Sequence, residues 1–158
     1  MDDNINVDVS VASGDDNIPG EAQIAEWVSA AVKAVQGDVA AEVSLRIVDE
    51  EEGGELNARY RQKSGPTNVL SFPADDSSEG LPPELPRMLG DIVVCAPVVA
   101  REASSQGKEA EAHWAHLFVH GALHLLGYDH EEPADAEAME SVEKQILARY
   151  GIGDPYAV

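Results

Sequence analysis

Hydrophobic residues at Ile5, Val7, Val9 and Val11 alternate with Asn6, Asp8 and Ser10, the two-residue period of a half-buried strand. A polar turn region follows between Gly14 and Gly20. Over residues 21–35 the spacing changes, and Ile24, Trp27, Val28, Ala31 and Val35 fall on one side of a helix. Residues 42–49 return to alternation, with Val43, Leu45 and Ile47 on a common face. Residues 50–61 read as a second helix in which Leu56 and Tyr60 stand one turn apart. Beyond it, the segment from Gly65 to Pro73 predicts a loop entering a short strand. Residues 75–86, rich in Asp, Ser, Glu and Pro, predict a flexible, exposed loop.

The run from Leu89 to Cys95 has strand length, interrupted by Asp91, and Pro97 then favours a helix start. That helix is expected over 97–106, closing at Gly107. A long helix follows over about 109–126. A last amphipathic helix over 133–150 carries Ala138, Val142, Gln145 and Ile146 near one side, with Gly151 after its end. The chain contains no internal repeat. Strand, helix, strand, helix, strand, strand and then helices predict an α+β fold: one domain over residues 1–158, with a small mixed sheet and helices packed against it.

Length agrees, since 158 residues suit one domain that buries roughly two-thirds of its unfolded surface. No apolar run approaches a membrane span, so no membrane partner is expected. Residues 1–20 carry several acids and no base and do not read as a signal peptide. The single cysteine, Cys95, cannot form an internal disulfide. Lying in the apolar run Ile92-Val-Val-Cys95, it reads as a small core residue in a reducing cytoplasm rather than a nucleophile.

The formal net charge of −20 argues against extended nucleic-acid binding, because phosphate contacts draw on lysine and arginine. A whole-chain sum does not describe a cleft, however. Arg59, Arg61 and Lys63 crowd together at the end of the second helix. There they complement the helix dipole, or they form a positive patch on an acidic body.

The strongest chemical signal is His120-Gly-Ala-Leu-His124-Leu-Leu-Gly127-Tyr-Asp-His130. Positions i and i+4 share a helix face, so the imidazoles of His120 and His124 can reach one metal ion. Gly127 is the residue type that ends a helix in a left-handed conformation, and the reversal would bring His130 to the same ion. Three neutral imidazoles leave one position open, the pattern of a catalytic zinc, although nickel, copper or iron accept such ligands too. The spacing matches the metal-binding part of the metzincin protease signature, in which a glutamate follows the first histidine as general base. Here that position is Gly121, which keeps the metal and argues against peptide hydrolysis.

His113 and His116 fall on the same helical stripe as His120 and His124. Helix rise sets His116 about 6 Å and His113 about 10 Å from His120 along the axis, which predicts supporting or cleft-lining roles rather than ligation. Asp129, beside His130, either orients a ligand imidazole or faces solvent in a turn.

Three segments carry a family resemblance: Leu56 to Pro73 with its Tyr-Arg-Gln-Lys and Pro-Thr-Asn-Val-Leu-Ser-Phe-Pro stretches, Leu89 to Cys95, and Glu111 to His130. Together they resemble the YbeY family of bacterial metal-dependent endoribonucleases of ribosomal RNA maturation. The resemblance runs over nearly the whole chain. It implies a four-stranded mixed sheet with about five helices and the histidine motif on a central helix. It also implies one zinc ion on His120, His124 and His130. The family's functional arginine corresponds to Arg61 rather than Arg59, with Tyr60 and Lys63 beside it at the cleft. Ser64 departs from the aspartate frequent at that position in the family.

Metal-assisted cleavage of single-stranded RNA is the function these features predict. In the resemblance, this belongs to small-subunit ribosomal RNA 3′-end maturation and ribosome quality control, with ribosomal RNA, the ribosome or its proteins as partners. The alternative is a ribosome-assembly factor whose metal is chiefly structural, which the acidic charge favours because ribosomal proteins are basic. A metal-dependent hydrolase of another substrate rests on the zinc spacing alone.

Overall fold

A computed structural model describes residues 5–12, 18–37, 40–61, 68–73, 87–128 and 133–153, without the side chains of Tyr60, Arg61 and Arg87. In chain order the elements are β1 (Ile5–Ala12), α1 (Glu21–Gln36), β2 (Ala41–Val48), α2 (Glu50–Arg61), β3 (Val69–Pro73), β4 (Arg87–Cys95), α3 (Ala96–Gln106), α4 (Ala110–Leu125) and α5 (Pro133–Ala148). The strands form one mixed sheet in the order β1-β2-β4-β3. β1 and β4 run parallel to β2, and β3 runs antiparallel to β4 at the edge. Among the described residues, four strands and five helices thus make the predicted α+β domain. The expected loop at 75–86 lies outside the described residues.

Alternation decides which face of the sheet is covered. Ala41, Val43, Leu45 and Ile47 of β2 are buried in the main core with Ile24, Trp27, Val28, Ala31 and Val32 of α1. On β1 the same alternation fades from buried Ile5 to exposed Val11, as befits an edge strand. A smaller cluster, Val48, Leu70, Val93, Cys95 and Val98 with Leu56 and Phe72 against it, fills the other side beneath α2 and α3. Cys95 is buried there, and burial pushes its thiol pKa up, as suits a packing residue.

β4 contains an irregularity: Glu42 pairs with Met88 but Val43 with Gly90, so Leu89 is the extra residue of a bulge. Gly90 takes φ 143°, and a Cβ there would stand 2.3 Å from the Phe72 carbonyl oxygen and 2.9 Å from Leu125. Only glycine admits both the conformation and the approach of β3.

α4 is the central helix, in contact with α1, α3, α5, β3 and β4. Its Trp114 and Phe118 stack at 5.6 Å, and Phe118 stacks on Trp27 of α1 at 6.1 Å. These aromatic contacts fix the helix against α1 and leave its histidine stripe facing α3, β3 and α5. α5 differs from its sequence expectation by a rotation of about one residue. Met139, Glu143, Ile146 and Leu147 are buried, whereas Ala138 and Gln145 are exposed and Val142 only half-buried. The stripe that packs is i, i+4, i+7, i+8, and it includes a charged residue that a search for apolar positions passes over.

Candidate metal centre

The end of α4 is closed by its own sequence. The Gly127 amide donates to the His124 carbonyl, and the Tyr128 amide to the Leu123 carbonyl at 3.1 Å, the paired bonds of a Schellman motif. Gly127 takes φ 101°, the positive value expected of the residue after such a cap. Leu126 and Tyr128 pack against the main core, so the reversal is anchored on both sides. The chain turns back at the position predicted, although His130 and Asp129 lie outside the described residues.

One turn apart on α4, the Nε2 atoms of His120 and His124 stand 3.1 Å from each other. Two nitrogens on one tetrahedral zinc at about 2.0–2.1 Å would be separated by roughly 3.3 Å. The observed spacing therefore suits a shared ion. The opposite nitrogen of His120, Nδ1, lies 2.7 Å from Oε2 of Glu143, which α5 delivers with no exposed surface.

His116 is closer to this group than the axial rise suggests. Its Nε2 is 3.5 Å from the same Glu143 oxygen, and single donor atoms of His116, His120 and Glu143 all lie within 4.8 Å of one another. Side chains from two turns of α4 meet at a carboxylate reaching in from α5, so separation along one helix axis underestimates their proximity. Two possible ligand groupings therefore overlap at His120: His120 with His124, and His116 with His120 and Glu143. Glu143 is the residue that sequence reasoning missed; its signal is an acid set among Met139, Ile146 and Leu147 on a helical stripe.

His113 belongs to a separate network. Its Nε2 stands 2.9 Å from Oε1 of Glu102 on α3, and that same oxygen accepts from Asn68 Nδ2 at 2.9 Å. The buried Nδ1 of His113 has no hydrogen-bond partner among the described residues. Both facts suit a neutral imidazole donating through Nε2. Burial holds its pKa below the ordinary histidine value, with Glu102 opposing that shift. Asn68, whose carbonyl also accepts from the Cys95 amide, is thereby clamped at the entry to β3.

That clamp shapes one wall of a cleft of about 340 Å³ lined by Asn68, Val69, His116, His120, Met139 and Glu140, among others. A larger hollow of about 1010 Å³ beside α2 is lined by Asp49, Glu51, Glu52 and Glu55 as well as Arg46 and Arg59, and this excess of carboxylates suits it poorly to phosphate. The smaller cleft is lined by His116 and His120 and is the better candidate site. Arg61 ends α2, while its side chain, that of Tyr60, and Lys63 lie outside what is described.

Gly121 explains why a protease base is missing. It faces the sheet and not the cleft: a Cβ there would meet Ile92 at 3.1 Å and Ser71 and Val69 at 3.4 Å, and Ser71 Oγ donates to the Gly121 carbonyl at 3.2 Å. Close packing of α4 on β3 and β4 occupies the space that a glutamate would need.

Comparison with known proteins agrees with this architecture. The family model described as Endoribonuclease YbeY matches residues 9–151. The chain is 55% identical over 139 residues to the Endoribonuclease YbeY of Stutzerimonas stutzeri, covering 88% of this chain and 84% of that protein. It is 51% identical over 151 residues to the protein of the same name from Cellvibrio japonicus, covering 95% and 82%. The solution structure of TM1509 from Thermotoga maritima superposes with a TM-score of 0.58 at 25% identity, over 95% of this chain and 99% of that one. With a family match across most of its length, and relatives above half identity, the chain belongs to the Endoribonuclease YbeY family.

Proposed function

We propose that this chain is a zinc-dependent endoribonuclease cutting single-stranded RNA, acting in the cytoplasm in small-subunit ribosomal RNA 3′-end maturation and ribosome quality control. Family membership supports the reaction class and an RNA substrate. The observation that carries the metal is the convergence of His120 and His124 through Nε2 at 3.1 Å, on a helix closed by a Schellman turn at Gly127. In this reading residues 1–158 act as one unit.

His120, His124 and His130 would hold the ion, leaving one coordination position for solvent or substrate. When bound, such an ion supplies Lewis acidity to a phosphate oxygen and acidifies water. Arg61 would grip the scissile phosphate in a bidentate contact and stabilise the charge that develops on it. Asn68, held by Glu102, lines the cleft with His116, and in this reading His116, Tyr60, Lys63 and Asp129 would support the reacting groups. Peptide hydrolysis through a base next to His120 is disfavoured, because position 121 faces the sheet.

A second reading, an assembly factor with a structural metal, draws on the net charge of −20 and the ribosome's basic proteins. Single-turnover cleavage of a defined single-stranded RNA by a folded, metal-replete Arg61→Ala variant separates the two. A loss of two or more orders of magnitude in rate supports the nuclease. Wild-type cleavage by that variant removes Arg61 from the chemistry, whereas unchanged ribosomal RNA processing in cells that carry a cleavage-deficient variant favours the assembly factor.

A further inference from the structure

We propose that Glu143 is the positioning carboxylate of the metal centre, fixing the tautomer and aim of His120 without ligating the ion; this rests on the assignment of the metal to His120, His124 and His130. Glu143 has no exposed surface and lies on the packed stripe of α5 between Met139 and Ile146. A carboxylate is rarely enclosed to this degree unless paired, because removal from water strongly disfavours its charge. Its partners are imidazoles of α4: His120 Nδ1 at 2.7 Å and His116 Nε2 at 3.5 Å.

The distances separate the two groupings that share His120. A nitrogen and an oxygen bound to one tetrahedral ion would stand roughly 3.3 Å apart. At 2.7 Å, His120 and Glu143 are too close for that and match a charge-assisted hydrogen bond. In this assignment Glu143 accepts from His120 Nδ1–H, and Nε2 carries the lone pair. That lone pair points at His124 Nε2. This is the carboxylate–histidine arrangement that sets ligand orientation and raises ligand basicity. The metal centre thereby extends to α5, with Glu143 23 residues beyond its ligand. His116 shares the carboxylate from the longer distance.

Zinc affinity of the full-length protein, measured by competition with a chromophoric chelator, tests the assignment in wild type, Glu143→Gln and His124→Ala. The glutamine keeps the size and an acceptor but loses the charge and the obligatory tautomer. The expected result is wild-type circular dichroism with zinc binding weakened about ten- to a hundredfold in Glu143→Gln, and a larger loss in His124→Ala. Nitrogen NMR of metal-free wild type should independently show His120 as the Nδ1–H tautomer. Unchanged affinity in Glu143→Gln, or an Nε2–H tautomer in wild type, overturns the inference while leaving the metal site standing. Abolished binding in Glu143→Gln with retention in His124→Ala makes Glu143 a ligand and overturns both assignments, as does a wild type that takes up no zinc.

Discussion

His120 and His124 face each other through their Nε2 atoms at 3.1 Å, one turn apart on a helix whose far side is stacked onto Trp27. The pairing follows from helical pitch, but its direction follows from packing. Phe118 and Trp114 hold one face of α4 to α1, and the Gly127 turn stops the helix directly after His124. The histidine pair thus sits on a helix enclosed by the core, which holds its geometry.

Gly121 marks where this site parts from a zinc protease. Replacing it with glutamate should destabilise the protein by at least about 1–3 kcal/mol, the usual cost of overpacking, with a buried charge added. Urea unfolding reads the loss, and no peptidase activity should appear. A stable variant that cleaves peptides contradicts the packing described for α4.

Gly90→Ala should be more damaging than an ordinary strand substitution. Its Cβ would collide with the Phe72 carbonyl in a positive-φ backbone, so a loss of at least about 2 kcal/mol is expected from clash and strain together. Thermal melts of the variant against wild type measure it. A melting temperature within one degree of wild type would mean that β3 does not approach the bulge.

Acid should weaken the fold partly through His113. Its folded-state pKa lies below the unfolded value near 6.5, chiefly because of burial, so the unfolded chain takes up the proton first as pH falls. The stability from neutral His113 is therefore complete above about pH 6.5 and declines as pH drops from there toward the folded pKa. His113→Gln keeps a donor for Glu102 but cannot titrate. Its urea midpoint should fall less than that of wild type between pH 7 and 5, and identical slopes contradict the assignment.

Much of this was legible in the sequence. Alternation in β1 and β2, helical spacing in α1, and Gly127 as a helix stop concern short-range pattern, and each element formed near its expected bounds. The approach of His120 to His124 was legible because i, i+4 spacing puts both imidazoles on one helix face. What escaped was set by tertiary packing. Glu143 is one of 30 acidic residues, and nothing local distinguishes it until α5 docks on α4. The Asn68–Glu102–His113 network likewise joins three elements far apart in sequence, so its membership emerges only from the fold.

Metal binding should also be visible as stability. Zinc at about one hundred times its Kd stabilises a folded protein by roughly 2.7 kcal/mol if the unfolded chain does not bind it. For a chain of this length that corresponds to a melting shift of about 5–10 °C. Melting with zinc and with a chelator reads the difference; no shift would mean that the described fold does not hold the ion.

The most direct test measures zinc content by elemental analysis alongside cleavage of a defined ribosomal RNA precursor, for wild type and His124→Ala. We predict about one zinc per wild-type chain and specific cleavage, with both lost in a folded His124→Ala variant. A metal-free preparation, clear of contaminating nuclease, that still cleaves at the wild-type rate would contradict the account.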